Sequence, residues 1–306
     1  MNISFCCKDD NAGLWMGELQ AALPQALVTL WQPGAPKAEM AVVWAPPQQF
    51  FDEQPELRAI FNVGAGVDAL MKLRLPAQAL VVRLDDAGMA VQMAEYVCHA
   101  VVRHMRHFAA YEADAQLGRW QRRLAPDRST FPVGVMGLGV LGERVVRALQ
   151  SFEFPVLGWS RTPKVLTGLD CYTGLAALPD FLARCRVLVC LLPLTPETQG
   201  ILNRDTLGQL QRGAYLINVA RGGHLVEADL LPLLDGGQLA GATLDVFNTE
   251  PLPPEHPFWR HPQIRVTPHV SAGTLPGKSM AQIVDKIGAL TRGEPITGIV
   301  DRQRGY

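Results

Sequence analysis

The sequence predicts an α/β protein of two parallel-sheet domains with a cleft between them, the second domain being inserted into the first. Short apolar runs bounded by glycine, proline and polar residues alternate with helix-like segments along the chain, which is typical of parallel α/β folds. The length of 306 residues suits two domains of roughly 150 residues each. One helical pattern separates the halves and another follows the second half, so we expect the chain to return to the first domain.

The predicted strands are short runs rich in Val, Ile and Leu. Residues 187–192 read Val-Leu-Val-Cys-Leu-Leu, and such a continuous apolar run indicates a parallel strand buried on both faces. In the first half, strands are predicted at residues 3–7, 26–31, 40–45, 57–63 and 79–84. In the second half, they are predicted at residues 133–136, 155–159, 187–192, 214–219, 241–247 and 264–267.

Two helical patterns set the predicted domain limits. Residues 89–111 form one predicted helix, because apolar residues recur in a single stripe at helical spacing: Met93, Val97, Val101, Met105 and Phe108. Residues 278–291 form the other. We therefore expect residues 1–98 and 276–306 to form the first domain and residues 99–275 the second.

Composition excludes several classes of protein. The 28 basic residues nearly balance the 29 acidic ones, so no nucleic-acid partner is expected. The longest uncharged stretch, residues 19–36, contains three prolines and three glutamines, which argues against a membrane span. The six cysteines lack the spacing of a zinc site, and no metal is expected. The sequence predicts a cytoplasmic protein without a membrane partner.

A glycine-rich loop opens the second domain. It follows a predicted strand, precedes an amphipathic helix and fits the pattern G-x-G-x-x-G, with the residues Gly137, Leu138, Gly139, Val140, Leu141 and Gly142. These glycines permit a tight turn, a close backbone approach to a pyrophosphate and close helix–strand packing. The loop therefore predicts dinucleotide binding.

The end of the next strand indicates which dinucleotide. An Asp or Glu there would bind the ribose 2′-hydroxyl of NAD. The sequence instead has hydroxyl and cationic side chains at Ser160, Arg161, Thr162 and Lys164. Arginine can bind a 2′-phosphate through charge-assisted hydrogen bonds, whereas a carboxylate would repel it. NADP(H) is the expected cofactor, and NAD(H) is the alternative.

A second glycine loop lies in the first domain. The run Gly64-Ala-Gly-Val-Asp68 also follows a strand, and the next strand ends at Asp85 and Asp86. On spacing alone the loop is a second dinucleotide candidate. The helical segment after it is short, about residues 67–73, and ends before Pro76. The alternative is that its amides bind a small carboxylate.

Three charged or titratable residues follow predicted strands of the second domain: Arg221, Glu250 and His269. The carboxyl ends of parallel strands are where α/β folds bind ligands. In one crevice, the Arg can bind a carboxylate, the Glu can orient a neighbour and the His can donate a proton.

The ordered motifs resemble the D-2-hydroxyacid dehydrogenase family. They are Gly-Ala-Gly-Val-Asp, G-x-G-x-x-G, Leu-Pro-Leu-Thr-Pro-Glu-Thr, Asn-Val-Ala-Arg-Gly, Asp-Val-Phe-x-x-Glu-Pro and Thr-Pro-His. The resemblance covers essentially the whole chain. It implies a flavodoxin-like substrate-binding domain and a Rossmann-like dinucleotide-binding domain. The segments around Trp44 and Arg161 are most similar to members that reduce glyoxylate and hydroxypyruvate, which implies NADPH-dependent reduction of small 2-keto acids.

The resemblance also implies residue roles. Arg221 would bind the substrate carboxylate and carbonyl, His269 would be the acid–base group, and Glu250 would lie behind it. The nicotinamide would be surrounded by Asn218, Val219, Ala220 and Asp245, and the cofactor would lie along Leu192, Pro193 and Thr195. The amides of Ala65 and Gly66 would hold the substrate carboxylate. Trp44 and Met89 would line the substrate, with core packing as an equal alternative for each. A homodimer is implied, with Trp120 in the contact segment.

Three alternatives remain open. The first is a D-2-hydroxyacid dehydrogenase with a preference for another 2-hydroxy acid. The second is a nucleotide-sensing corepressor-like binding protein on the same fold, since such relatives retain the Arg, Glu and His set. An S-adenosylmethionine-dependent methyltransferase would use a glycine loop but would leave that set unexplained. Turnover of glyoxylate with NADPH separates the enzyme from the corepressor-like binding protein.

Overall fold

The computed structural model describes residues 1–8, 12–124 and 126–306. The chain forms two compact units: Met1–Met89 with Thr274–Tyr306 make unit 1, and Ala90–Gly273 make unit 2. Within these described ranges, no helix is both long and apolar enough to cross a membrane.

Unit 1 is built on a five-stranded sheet whose strands are all parallel, in the order β2-β1-β3-β4-β5. This is the strand order of flavodoxin-like folds. The strands are β1 (Asn2–Cys7), β2 (Leu27–Leu30), β3 (Met40–Trp44), β4 (Ala59–Asn62) and β5 (Leu80–Val82). Helices α1 (Ala12–Ala22) and α2 (Gln48–Glu53) lie in its connections.

Unit 2 is built on a parallel seven-stranded sheet in the order β12-β11-β10-β9-β6-β7-β8. From β8 to β11 this order is that of the Rossmann fold. Its helices are α3 (Met89–Met105), α4 (Phe108–Gln116), α5 (Val140–Ser151), α6 (Leu178–Arg184), α7 (Arg204–Gly208) and α8 (Glu227–Asp235). Its strands are β6 (Val133–Met136), β7 (Val156–Ser160), β8 (Asp170–Thr173), β9 (Val187–Cys190), β10 (Ala214–Asn218), β11 (Leu239–Leu244) and β12 (Ile264–Val266).

The chain then returns to unit 1 through helix α9 (Pro276–Thr291). Beyond it, Ile299 forms an antiparallel bridge to Val82 of β5. The buried Lys286 of α9 donates from Nζ to Asp85 Oδ2 and to the Arg83 carbonyl, both at 2.8 Å. The returning segment is therefore joined to the end of the five-stranded sheet by main-chain and side-chain hydrogen bonds.

The predicted apolar stripe of α3 packs into the core of unit 2. Met93, Val97, Val101 and Met105 are buried in one cluster with residues of β6, β9 and β10. In the structure, all of α3 except its first residue, Met89, belongs to unit 2. The predicted domain limit lay further along this helix, after residue 98. Packing of the stripe against the seven-stranded sheet explains the difference.

The prediction of one helix over residues 89–111 is wrong. His107 has a left-handed backbone (φ +57°) that ends α3 and precedes α4. The stripe therefore does not continue to Phe108, which is exposed. β8 was not predicted from the sequence; it is an edge strand of partly exposed residues that pairs with β7.

Candidate functional site

The glycine loop of unit 2 lies between β6 and α5, and its three glycines differ in backbone conformation and in the space around them. Gly137 has φ +102°, which favours a residue without Cβ. A Cβ at Gly142 would lie 1.9 Å from the Gly137 carbonyl oxygen, so the first turn of α5 packs directly on the loop. A Cβ at Gly139 would meet no atom within 4 Å.

This loop fits a dinucleotide. Gly139 is the N-cap of α5 and offers no side chain to the first helical amides. The first N–H groups of an α-helix have no intrahelical acceptor, so those of Val140 and Leu141 are available at the open space beside Gly139. Amides and the positive end of the helix dipole are what a pyrophosphate requires. Leu138 is instead buried, beside Gly158 of β7.

The predicted 2′-phosphate residues follow β7. Arg161, Thr162 and Lys164 are exposed. Ser160 is buried, and its hydroxyl donates to the Thr162 carbonyl at 2.7 Å. The Ser160 hydroxyl therefore closes the turn, and the exposed cationic and hydroxyl groups come from the three later residues.

The loop after β9 contributes Leu192, Pro193 and Thr195. Leu192 and Thr195 are buried, and Thr198 braces the loop by donating from its hydroxyl to the Pro193 carbonyl at 2.7 Å. A hydrogen bond with the Thr195 side chain lowers the pKa of Glu197, and the positive charge of Arg161 acts in the same direction. Glu197 was not singled out from the sequence, although it is the only acidic residue of its motif.

Arg221 follows β10 in a tightly held turn. The buried Asn218 donates from Nδ2 to the Arg221 carbonyl at 3.1 Å and accepts the Ala220 N–H at 3.2 Å. Val219 and Ala220 are also buried. Arg221 itself is half-buried, and its Nη1 donates to the Ala220 carbonyl at 2.7 Å.

The sequence did not predict the contacts of two residues near Arg221, which are His224 and Gly222. The fully buried His224 has Nδ1 at 3.0 Å from the Arg221 carbonyl and Nε2 at 3.2 Å from the Pro193 carbonyl, which links this turn to the loop after β9. A Cβ at Gly222 would lie 1.9 Å from the carbonyl carbon of Phe247, so the turn also packs on the segment after β11. Only the glycine run in Arg-Gly-Gly hinted at this close approach.

His269 and Glu250 form a pair, as the resemblance implies. His269 Nδ1 lies 2.8 Å from Glu250 Oε2, and Glu250 Oε1 accepts the Phe247 N–H at 2.9 Å. Because a carboxylate accepts, Nδ1 carries the hydrogen of this bond. The His269 side chain is 44% exposed, so its Nε2 edge remains reachable by a reactant.

Asp245 holds the segment that carries His269. Its buried carboxylate accepts the Thr267 hydroxyl at 2.6 Å, the Val270 N–H at 2.9 Å and the Ser271 N–H at 2.8 Å. Its carbonyl accepts the His269 N–H at 2.9 Å. The resemblance places Asp245 at the nicotinamide, but in the structure both carboxylate oxygens bind the protein's own groups.

In unit 1, a side chain shapes the glycine loop after β4. The buried Asn62 donates from Nδ2 to the Gly64 carbonyl at 3.1 Å and to the Gly66 carbonyl at 3.0 Å. In a trans peptide, C=O and the following N–H point in opposite directions. The Ala65 N–H therefore points away from Asn62. Ala65 and Gly66 are half-exposed.

The two side chains predicted to line the substrate differ in exposure. A Cβ at Gly64 would lie 2.5 Å from Trp44 Cζ3, so the indole lies against the glycine loop of unit 1, and Trp44 is 36% exposed. Met89 is buried, which matches the packing alternative for that residue. The segment after the loop forms only a 3₁₀ turn, Leu70–Lys72.

The structure thus brings the predicted residues together in two groups. At the carboxyl ends of unit 2 strands lie the glycine loop, the cationic residues after β7 and the Arg221, Glu250 and His269 set. At the carboxyl ends of β3 and β4 in unit 1 lie Trp44 and the loop of Ala65 and Gly66. These ends are where open α/β sheets bind ligands.

Comparison with known proteins identifies the class. Residues 98–271 match the family described as D-isomer specific 2-hydroxyacid dehydrogenase, NAD binding domain. The chain belongs to this family of oxidoreductases, which confirms the predicted family, enzyme class and α/β fold.

Individual relatives cover the whole chain. The chain is 46% identical to a glyoxylate/hydroxypyruvate reductase A of Serratia proteamaculans, over 100% of both chains. It is similar to the D-isomer specific 2-hydroxyacid dehydrogenase of Xanthobacter autotrophicus Py2 in complex with NADPH and MES, with 41% identity, a TM-score of 0.94 and coverage of 100% and 99%. It is also similar to the NADPH-dependent glyoxylate/hydroxypyruvate reductase of Sinorhizobium meliloti in complex with NADP and sulfate, with 36% identity, a TM-score of 0.92 and coverage of 100% and 99%.

Proposed function

We propose that the chain is an NADPH-dependent reductase of small 2-keto acids, which converts glyoxylate to glycolate and hydroxypyruvate to D-glycerate. Family membership supports the reaction type. The relatives described as glyoxylate/hydroxypyruvate reductases support the substrate class. The relatives described with bound NADPH or NADP support the cofactor.

The observation that carries this proposal is the His269–Glu250 pair on the same sheet edge as Arg221. These three residues follow β12, β11 and β10, which are adjacent in the sheet. The 2.8 Å bond from His269 Nδ1 to Glu250 leaves the Nε2 edge for exchange of a proton. A cation, an acid–base group and its orienting carboxylate are the groups that carbonyl reduction requires.

The reaction divides between the cofactor and the chain's own residues. When bound, the reduced nicotinamide supplies the hydride. Negative charge then develops on the substrate carbonyl oxygen, where the Arg221 guanidinium stabilises it and His269 Nε2 donates a proton. Glu250 orients the ring through its hydrogen bond with His269 Nδ1. Asn218 and His224 hold the Arg221 turn.

NADP(H) selection is proposed for the turn after β7. Arg161 and Lys164 supply positive charge and Thr162 a hydroxyl, and residues 160–164 contain no carboxylate that would repel a 2′-phosphate. Ser160 supports this site by fixing the turn. NAD(H) is the alternative cofactor.

The substrate carboxylate is proposed to bind the amides of Ala65 and Gly66. Asn62 turns the neighbouring carbonyls away, so this short loop offers donors to a small anion. Trp44 lies against the same loop and restricts the size of the acid.

A homodimer is the proposed working form. Trp120 is 97% exposed and Leu124, four positions later in the sequence, is 94% exposed, and exposed apolar surface is typical of a protein contact. Light scattering of the purified chain tests this, and a monomer mass would contradict it.

The test of the proposed function is a panel of 2-keto acids with both cofactors, followed by absorbance of the reduced nicotinamide. We expect turnover of glyoxylate and hydroxypyruvate with NADPH. His269→Gln should lower kcat by roughly 10²–10⁴-fold, the usual contribution of general acid catalysis. It should leave NADPH affinity unchanged, because His269 is not assigned to cofactor binding. Absence of keto-acid turnover by the wild type would contradict the proposed function.

A further inference from the structure

A chain of hydrogen bonds connects helix α3 to the segment that carries His269. Tyr96 of α3 has its hydroxyl 2.5 Å from Thr267 Oγ1, and Thr267 Oγ1 lies 2.6 Å from Asp245 Oδ1. Tyr96 lies 171 positions away from Thr267 in the sequence, and none of the motifs that carry the family resemblance includes it.

The donor and acceptor of each hydrogen bond in this series follow from the chemistry of the groups. An ionised carboxylate only accepts hydrogen bonds, and a hydroxyl has one hydrogen to donate. Thr267 therefore donates to Asp245, and its oxygen must accept from Tyr96. Burial raises the pKa of Tyr96 to about 12, so the phenol keeps its proton near neutral pH. Two successive donors polarise each other and strengthen the bond that reaches the carboxylate.

Asp245, at the end of this series of hydrogen bonds, binds residues on both sides of His269 in the sequence. Its carboxylate holds Thr267 before the histidine and the amides of Val270 and Ser271 after it. His269 has a left-handed backbone (φ +56°), which is unfavourable for a residue with a Cβ and persists only where neighbours enforce it. The hydrogen bonds of Asp245 are the enforcing contacts.

We propose that Tyr96 is a positioning residue for His269 that acts through Thr267 and Asp245. The role assigned to His269 rests on the proposed function, but the mechanical link does not. Loss of the phenol hydroxyl leaves Thr267 without its donor and weakens the hold of Asp245 on residues 267–271. His269 can then leave its left-handed conformation.

Tyr215 offers a matched control for Tyr96. Tyr215 has its hydroxyl 2.8 Å from Thr243 Oγ1, and burial likewise raises the pKa of Tyr215. Among the described residues, this second Tyr–Thr pair continues to no carboxylate. Tyr96→Phe and Tyr215→Phe each remove the phenol hydroxyl of a half-buried tyrosine, and only the first interrupts the path to His269.

The experiment compares amide exchange and turnover in these variants. In Tyr96→Phe, we expect hydrogen–deuterium exchange at Val270 and Ser271 to accelerate by roughly 3- to 10-fold, the effect of losing one hydrogen bond. Glyoxylate turnover should fall by a similar factor, with NADPH affinity within about twofold. Tyr215→Phe should leave both measurements at the wild-type level.

A double-mutant cycle separates this role from general loss of stability. Thr267→Val removes the middle link, and adding Tyr96→Phe to it should have no further effect on exchange, since the path is already broken. Thr267→Ser keeps the hydroxyl and should retain wild-type exchange.

Unchanged exchange and kcat in Tyr96→Phe, or additive effects in the cycle, would overturn the proposal. If Tyr96→Phe fails to fold, the contrast between Thr267→Val and Thr267→Ser decides whether the link controls the segment. If the wild type lacks keto-acid turnover, the proposed function fails, and the exchange rates alone still decide the role of Tyr96.

Discussion

The two glycine loops begin alike and end differently. Each follows a parallel strand with a Gly-x-Gly sequence, at Gly64–Gly66 in unit 1 and Gly137–Gly139 in unit 2. The unit 2 loop leads into the long helix α5, whereas the unit 1 loop leads only into the 3₁₀ turn Leu70–Lys72.

The loops are also held by different means. The unit 2 loop is fixed by backbone packing, because the missing Cβ of Gly142 lets α5 approach the Gly137 carbonyl. The unit 1 loop is fixed by the side chain of Asn62, which binds two carbonyls. Both loops thus begin with a pair of glycines, and the third glycine with its helix is present only in the unit 2 loop. This difference supports the proposal that the unit 2 loop binds the dinucleotide and the unit 1 loop a small anion.

The largest expected effect comes from Gly142→Ala. The new Cβ would meet backbone atoms at 1.9 Å, which no rotamer change relieves, so α5 must move. We expect NADPH affinity to fall by about 100-fold, equivalent to ~2.7 kcal/mol, and the free energy of unfolding to fall by about 3 kcal/mol. Fluorescence titration with NADPH and denaturant unfolding measure these two effects.

Gly139→Ala is the control for that experiment. Its Cβ meets no protein atom within 4 Å, so the free energy of unfolding should stay within about 0.5 kcal/mol of wild type. Only NADPH affinity should fall, by obstruction of the cofactor. Equal destabilisation by both substitutions would contradict the distinct roles of these glycines.

An intermediate effect is expected from Arg161→Asp, which tests whether the turn after β7 is specific for NADP(H). A charge-assisted hydrogen bond contributes roughly 1.5–3 kcal/mol, so wild type should prefer NADPH over NADH by at least about 10-fold in kcat/KM. The new carboxylate should repel the 2′-phosphate and accept the ribose hydroxyl, reversing much of the preference. Steady-state kinetics with each cofactor measure it, and equal weakening of both would exclude this role.

The smallest expected effect comes from Asn62→Leu, which tests the side-chain support of the unit 1 loop. Loss of two hydrogen bonds should raise KM for glyoxylate by roughly 5- to 10-fold, with NADPH affinity unchanged. Oxalate binding by calorimetry gives a reading without turnover, and unchanged affinity there would contradict the assignment.

Gln54→Met is the matched control for Asn62→Leu. Gln54 is another buried amide that holds unit 1 backbone, donating to the Pro36 carbonyl at 3.0 Å and accepting the Ala38 N–H at 2.8 Å. Its loss should lower the free energy of unfolding by about 1–3 kcal/mol, as for Asn62→Leu. It should leave KM unchanged, because Gln54 does not contact the glycine loop.

Much of the fold was predictable because buried parallel strands leave a strong local pattern. β6 has the predicted limits, and the other predicted strands appear with shifts at their ends. β8 was missed since an edge strand such as Asp-Cys-Tyr-Thr lacks a continuous apolar run. The break at His107 was missed because apolar residues recur at helical spacing across it, although the backbone at His107 itself is left-handed.

Contacts of the candidate site between residues of recognised motifs were predictable from the sequence. Contacts that involve residues outside those motifs were not. The hydrogen bond between His269 and Glu250 agrees with the resemblance, which places Glu250 behind His269. The occupation of the Asp245 carboxylate by the amides of residues 270 and 271 required the three-dimensional structure. The same holds for Tyr96 and His224, whose partners lie far away in the sequence.

The return of the chain through α9 has a consequence for synthesis on the ribosome. Unit 2 is contiguous, from Ala90 to Gly273, whereas unit 1 also needs Thr274–Tyr306. Domains generally fold as units while the chain emerges. The nascent chain can thus complete unit 2 while unit 1, although begun first, still lacks Lys286 and the bridge from Ile299 to Val82. The domain whose synthesis starts first is therefore the last to be finished.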